Sequence, residues 1–148
     1  YMMNIKSIGT VVLFAATLIW SGCTTPGCTD PNAENYESVA DSDDGSCEYS
    51  GDVVFWYGEA VSEEMEYIYT NSLSFYVDGQ IVGSTAANQF WNGAPNCGDN
   101  ASITVSKNLG GATSLAFDYE VIDDYGDTWW TGTINFVANT CTSLELML

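Results

Sequence analysis

The chain has 148 residues, of which 20 are acidic and two basic, with no histidine, no arginine and a net charge of −18. Such a balance excludes nucleic acid as a partner, because phosphate binding needs clusters of lysine and arginine. Without histidine, a serine or cysteine nucleophile lacks its usual base.

The N-terminal part sets the compartment. Lys6 is followed by an apolar run at 8–20 and then by Ser21-Gly22-Cys23, the n-region, h-region and small-residue site of an export signal. The run is short for a membrane span. Small residues directly before a cysteine resemble a bacterial lipoprotein signal, which implies removal of 1–22 and lipidation of Cys23. The resemblance implies a lipid anchor in a Gram-negative bacterium. Thr24 follows the cysteine in place of an inner-membrane aspartate, so the outer membrane is expected, with either face open. Ordinary secretion with a free Cys23 is the alternative. All acidic residues follow Cys23 and only Lys107 is basic there, so an anionic lipid surface would repel the chain and leave the anchor as its membrane attachment.

Five cysteines make an odd number, and lipidation of Cys23 accounts for one. The other four can pair in three ways; locality favours Cys28 with Cys47 and Cys97 with Cys141, while free buried thiols would suit a cytosolic protein. Loops of these lengths correspond to about 3 and about 4 kcal/mol in a chain-entropy model.

Residues 23–49 form an acidic segment without apolar periodicity. Gly27-Cys28-Thr29-Asp30-Pro31-Asn32-Ala33, Asn35-Tyr36 and Asp43-Asp44-Gly45-Ser46-Cys47 resemble a GC-x-DP-x-A-x-NY…DDGSC segment of exported and surface proteins of Bacteroidetes-type bacteria. That resemblance implies secretion or surface display. The donors Asp30, Asn32, Asp41, Asp43 and Asp44 are of the type calcium takes, six to eight oxygens at a time, once Cys28 and Cys47 close the loop. A disulfide-closed run of Asx turns with its acids in water fits the same residues.

Residues 50–148 are expected to fold as an all-β domain, a small antiparallel sandwich. Runs at 53–57, 73–78, 80–84, 102–106, 114–122, 129–137 and 141–147 are rich in Val, Ile, Thr and aromatics and are separated by turn signals, predicting about seven strands. Asp78-Gly79 and Asp124-Tyr125-Gly126-Asp127 mark hairpins. At 62–67 the sequence allows one helical turn. Phe75-x-Val77-Asp78-Gly79-Gln80-x-Val82-Gly83, Cys97-Gly98, Trp130-Thr131-Gly132-Thr133 and Cys141 resemble small PEGA-like sandwich domains of bacterial surface lipoproteins, which implies a structural or interaction role.

Trp91, Trp129 and Tyr125, with nearby carboxylates, are the candidate ligand-binding residues, because exposed aromatic rings beside carboxylates stack on and hydrogen-bond sugars. Alternating strand geometry sends the adjacent Trp129 and Trp130 to opposite faces. The competing arrangement buries Trp130 and Trp56 and packs Trp91 under the 92–100 loop. Acid pairs such as Glu63 with Glu64 or Asp123 with Asp124 are expected by chance at this acid content, so no catalytic residue is assigned. The sequence therefore predicts a non-enzymatic lipoprotein that binds or scaffolds at the cell surface, through a glycan or protein partner. The alternative is a calcium- or glycan-dependent adhesion module.

Overall fold

The computed structural model describes residues 22–148. The expected export signal at 1–22 lies, apart from Gly22, outside the described residues. In the acidic segment, strands β1 (Pro26–Gly27) and β2 (Ser42–Asp43) pair in parallel. The Cys28–Cys47 disulfide closes this region, with Cys28 and Ala33 buried inside it. The segment is pinned to the next strand by the Tyr49 hydroxyl, which donates to Asp30 Oδ2 at 2.6 Å, and by a bond from Ser50 Oγ to Glu34.

The chain then forms β3 (Tyr49–Trp56), α1 (Glu59–Tyr67), β4 (Ser72–Val77), β5 (Gln80–Ala86), β6 (Ile103–Gly110), β7 (Ser114–Asp123), β8 (Thr128–Val137) and β9 (Cys141–Glu145). All seven expected strands of this part are present, in two sheets ordered β6-β3-β9 and β5-β4-β7-β8. Alternation decides which faces meet. Leu73, Phe75 and Val77 of β4 and Val53 and Phe55 of β3 turn inward to a shared core with Val105, Val121 and Phe136. Phe55 and Phe75 meet across the sheets at 5.6 Å between ring centroids. The Asp78-Gly79 hairpin has φ of 55° and 69°, the left-handed pair that a two-residue turn demands.

Every pairing within these two sheets is antiparallel except β3 with β9, which is parallel. The chain leaves β8 in one sheet, turns a corner at 138–140 with Asn139 at φ 57°, and enters the other sheet beside β3. There the Asn139 N–H donates to Ser50 O and the Asp52 N–H to Thr140 O. At this seam Gly51 faces β8, and a Cβ on it would lie 2.5 Å from the Val137 carbonyl oxygen.

The loop before β6 covers the outer face of the three-stranded sheet. Thr104 and Ser143 sit opposite Val54 and share its face, and Cys141 sits opposite Asp52. The Gly98 N–H donates to Thr104 Oγ1, Cys97 is bonded to Cys141, and Val54 beneath is fully buried.

A helix of nine residues replaces the single turn expected at 62–67. Val61 and Met65, one turn apart, bury against the core while the glutamates face water, a stripe too narrow to stand out in an acidic run. Trp129 and Trp130 also depart from expectation. Val121 pairs with Trp130 and Ile122 with Thr128, so Trp129 sits in a β-bulge; the bulge cancels the alternation and leaves the two rings packed together, centroids 5.3 Å apart.

Candidate binding site at the helix and hairpin end

The last turn of α1 closes as a Schellman motif. The Tyr69 N–H donates to Glu66 O at 3.1 Å and the Thr70 N–H to Met65 O at 2.9 Å. This places Tyr69 at φ 66°, the position glycine usually takes, at a cost of about 1–2 kcal/mol for a residue with a Cβ. The tip of the β7–β8 hairpin braces the turn. Tyr125 Oη donates to Tyr69 O at 3.2 Å, and Asn71 donates its backbone N–H and its Nδ2 to the two oxygens of Asp124 at 3.0 and 2.9 Å. The Asn71 bonds, side chain first, hold the Asp124 carboxyl below the usual aspartate value. Tyr67, Tyr69 and Tyr125 are left 80%, 79% and 65% exposed, with Ile68 exposed between the first two.

The hairpin is organised by Asp123, which is buried. Its Oδ1 accepts the N–H groups of Tyr125 and Asp127, both at 2.9 Å, and its Oδ2 accepts the Trp129 indole N–H at 3.1 Å. Burial, the largest influence, pushes its pKa up, and the bonds from Trp129, Asp127 and Tyr125 together overcome it, so the carboxyl stays below the usual value.

A cavity of about 260 Å³ opens beside Tyr69, lined also by Glu66, Thr70, Asn71, Ala86 and Asn88. Thr70 is 4% exposed, and its buried Oγ1 has no hydrogen-bond partner. The wall at 86–87 is fixed from behind, where Tyr57 Oη donates to Ala86 O at 3.0 Å and Ser62 Oγ to Ala87 O at 2.9 Å. A second cavity, of about 520 Å³, lies on the four-stranded sheet and is lined by Tyr76, Asp118, Glu120, Ile122 and Thr131 among others. Its carboxylates accept bonds from neighbouring threonines, Thr133 to Asp118 at 2.8 Å and Thr128 to Glu120 at 2.7 Å.

The expected ligand-binding residues divide. Tyr125 and Trp129 meet through Asp123, whereas Trp91 donates its backbone N–H to Tyr57 O, just before the first turn of α1. Trp130 packs partly buried against the core and donates Nε1 to Met147 O at 2.8 Å. Trp56 is half-buried, with its Nε1 buried and unpartnered. Tyr67, Tyr69 and Asn71 were not among the expected residues. Their signal was the exposed Tyr67-Ile68-Tyr69 run, legible only once the helix is known to end there.

In the acidic segment each of the four expected carboxylates serves a nearby N–H or O–H, and Asn32 donates to one of them. Asp30 Oδ1 accepts the backbone and side-chain N–H of Asn32, Asp41 Oδ1 the Thr25 N–H, Asp43 Oδ1 the Gly45 N–H and Asp44 Oδ1 the Ser46 N–H. Tyr49 foremost holds Asp30 below the usual aspartate value, and Ser46 does so for Asp44. Among the described residues no three His, Cys, Asp or Glu side chains gather closely enough to hold a metal ion. Cys23 is exposed and unbonded, and no described helix is long and apolar enough to cross a membrane. Comparison with known protein families, with characterised proteins and with solved structures found no match to this chain.

Proposed function

We propose that this chain is a non-enzymatic binding module of a Gram-negative envelope, anchored in the outer membrane through a lipid on Cys23, with the helix and hairpin end meeting its partner. The observation that carries the reading is the exposure of Tyr67, Tyr69 and Tyr125 together on one braced end. Tyrosine supplies large amphipathic contact area at low conformational cost, and an exposed aromatic cluster of this kind marks an interaction surface. The lipoprotein-like start and the unbonded fifth cysteine support the anchor. The acidic disulfide-closed segment then serves as a spacer between lipid and sandwich.

Two measurements test it. Cells fed an alkyne fatty acid should label the protein, and Cys23→Ala should abolish labelling; labelling that survives the substitution refutes the anchor. Envelope fragments stripped of endogenous protein should retain the purified full chain, and Tyr67→Ser/Tyr125→Ser should reduce retention at least tenfold. Equal retention of the variant would remove the aromatic end from the function.

A further inference from the structure

We infer that the cavity beside Tyr69 is a subsite for a single uncharged pyranose residue, with the Tyr69 ring as its stacking surface; the inference rests on reading this end of the molecule as a binding surface. Tyr69 occupies a left-handed position at which glycine would be unstrained, and at 79% exposure its ring gains little packing in return. Strain of this kind persists only where surrounding bonds enforce it, and it concentrates at ligand sites. Here the two Schellman bonds, the Tyr125 hydroxyl and the Asn71–Asp124 pair enforce it. The tyrosine at 69 thus combines a strained backbone with an exposed aromatic ring beside the cavity.

The lining selects the ligand. A cavity of about 260 Å³ is the size of one sugar ring rather than a drug-sized ligand, whose pockets run to roughly 300–1,000 Å³. Its polar groups are mixed, the Asn88 amide and the Glu66 carboxylate, while the Thr70 hydroxyl lies out of solvent reach. Asn71 spends its Nδ2 on Tyr69 O and Asp124, leaving Oδ1 without a partner among the described residues. A ligand with several hydroxyls, each both donor and acceptor, matches this set, and the C–H face of a pyranose matches a tyrosine ring. Glu66 in the cavity, with Asp123, Asp124 and Asp127 on the adjoining hairpin, repels anions, so acidic sugars are excluded.

The test is saturation-transfer NMR on the full chain in detergent. The probes are methyl pyranosides of glucose, galactose, mannose and N-acetylglucosamine, set against glucuronic acid and N-acetylneuraminic acid. At least one neutral pyranoside should bind, and both acids at least tenfold more weakly. Tyr69→Gly should weaken that binding at least tenfold while its thermal midpoint stays level or rises, and Tyr69→Phe should keep binding within about twofold. The inference is overturned if no neutral pyranoside binds, if the acids bind equally, if Tyr69→Gly binds like the parent, or if that variant loses binding together with a lowered midpoint. Should the pyranosides fail while Tyr67→Ser/Tyr125→Ser still loses envelope retention, the sugar subsite falls and the binding surface stands; should both fail, both readings fall.

Discussion

Replacing Asp123 tests whether one buried carboxylate holds the hairpin that carries Tyr125. Asp123 is 7% exposed and accepts three hydrogen bonds, from the Tyr125 and Asp127 backbones and from the Trp129 indole. A bond to an ionised acceptor contributes about 1.5–3 kcal/mol, and a buried donor left without a partner costs about 1–3 kcal/mol. Tyr125 and Asp127 are exposed, so their N–H groups can turn to water, whereas the Trp129 indole packs against the core and cannot do so freely. Asp123→Ala should therefore cost about 3 kcal/mol, dominated by the indole bond. In Asp123→Asn the amide oxygen can keep both backbone bonds, but the amide nitrogen turns a donor toward the indole donor, and the expected cost is about 1.5–2 kcal/mol.

Urea unfolding of the two variants against the parent, with unchanged m-values, reads these differences directly. The folded pKa of Asp123 lies below its unfolded value, so its contribution is fully present above the unfolded pKa of about 4 and fades as pH falls through the folded pKa. The gap between parent and Asp123→Asn should thus be flat from pH 7 to about 5 and narrow below about 4. A cost under about 0.5 kcal/mol for alanine would show that the carboxylate does not hold the hairpin. Equal costs for the two variants would show that the acceptor geometry at Trp129 is irrelevant.

Four further outcomes are expected. Cys97→Ser/Cys141→Ser opens a bridge of sequence separation 44, and urea unfolding should show a loss of about 4 kcal/mol, a loss under about 1 refuting the clamp on the loop. Gly51→Ala drives a Cβ into the Val137 backbone and should cost about 2–3 kcal/mol in the same assay; an unchanged midpoint would mean the sheets do not approach as closely there. In a carboxyl-carbon NMR titration Asp30 should titrate below the usual aspartate value and move up in Tyr49→Phe, because the tyrosine hydroxyl is its largest stabilising contact; no movement would remove that bond. Calcium should raise the thermal midpoint no more than magnesium at equal ionic strength, since the loop carboxylates already serve N–H and O–H donors; a calcium-specific rise lost in Asp43→Asn/Asp44→Asn would overturn this.

Local chemistry made most of the fold legible in advance. The strands at 72–77, 80–86 and 128–137 were readable because alternation and turn residues are properties of neighbouring positions, and the Asp78-Gly79 turn states its own geometry. Strand β3 begins earlier than its apolar run because polar Ser50 and Asp52 pair with β6 all the same. What escaped depends on distant partners. The parallel pairing of β9 with β3 follows from where the 138–140 corner lands, and the bulge at Trp129 from register with β7. Tyr69 escaped for a related reason. A tyrosine marks no helix end, and its left-handed conformation, closed by bonds to the Met65 and Glu66 carbonyls, is braced by the Tyr125 hydroxyl 56 positions away.

The same chemistry that organises the acidic loop organises the helix and hairpin end. The described residues contain one lysine, Lys107, whose ammonium lies 5.0 Å from the centroid of the Phe117 ring. Carboxylates in such a chain must be stabilised by neutral donors. Asp30, Asp44, Asp123 and Asp124 are all held below the usual aspartate value by tyrosine, serine, tryptophan, asparagine and backbone groups. Those bonds fix the turn at 43–46 in one place and the Tyr125 hairpin in another, and in both the acids serve as structural acceptors. The negative field they leave behind still surrounds the three exposed tyrosines. A partner docking on the proposed surface would therefore have to offer uncharged or cationic groups, and a flat C–H face bordered by hydroxyls would meet both the rings and the field.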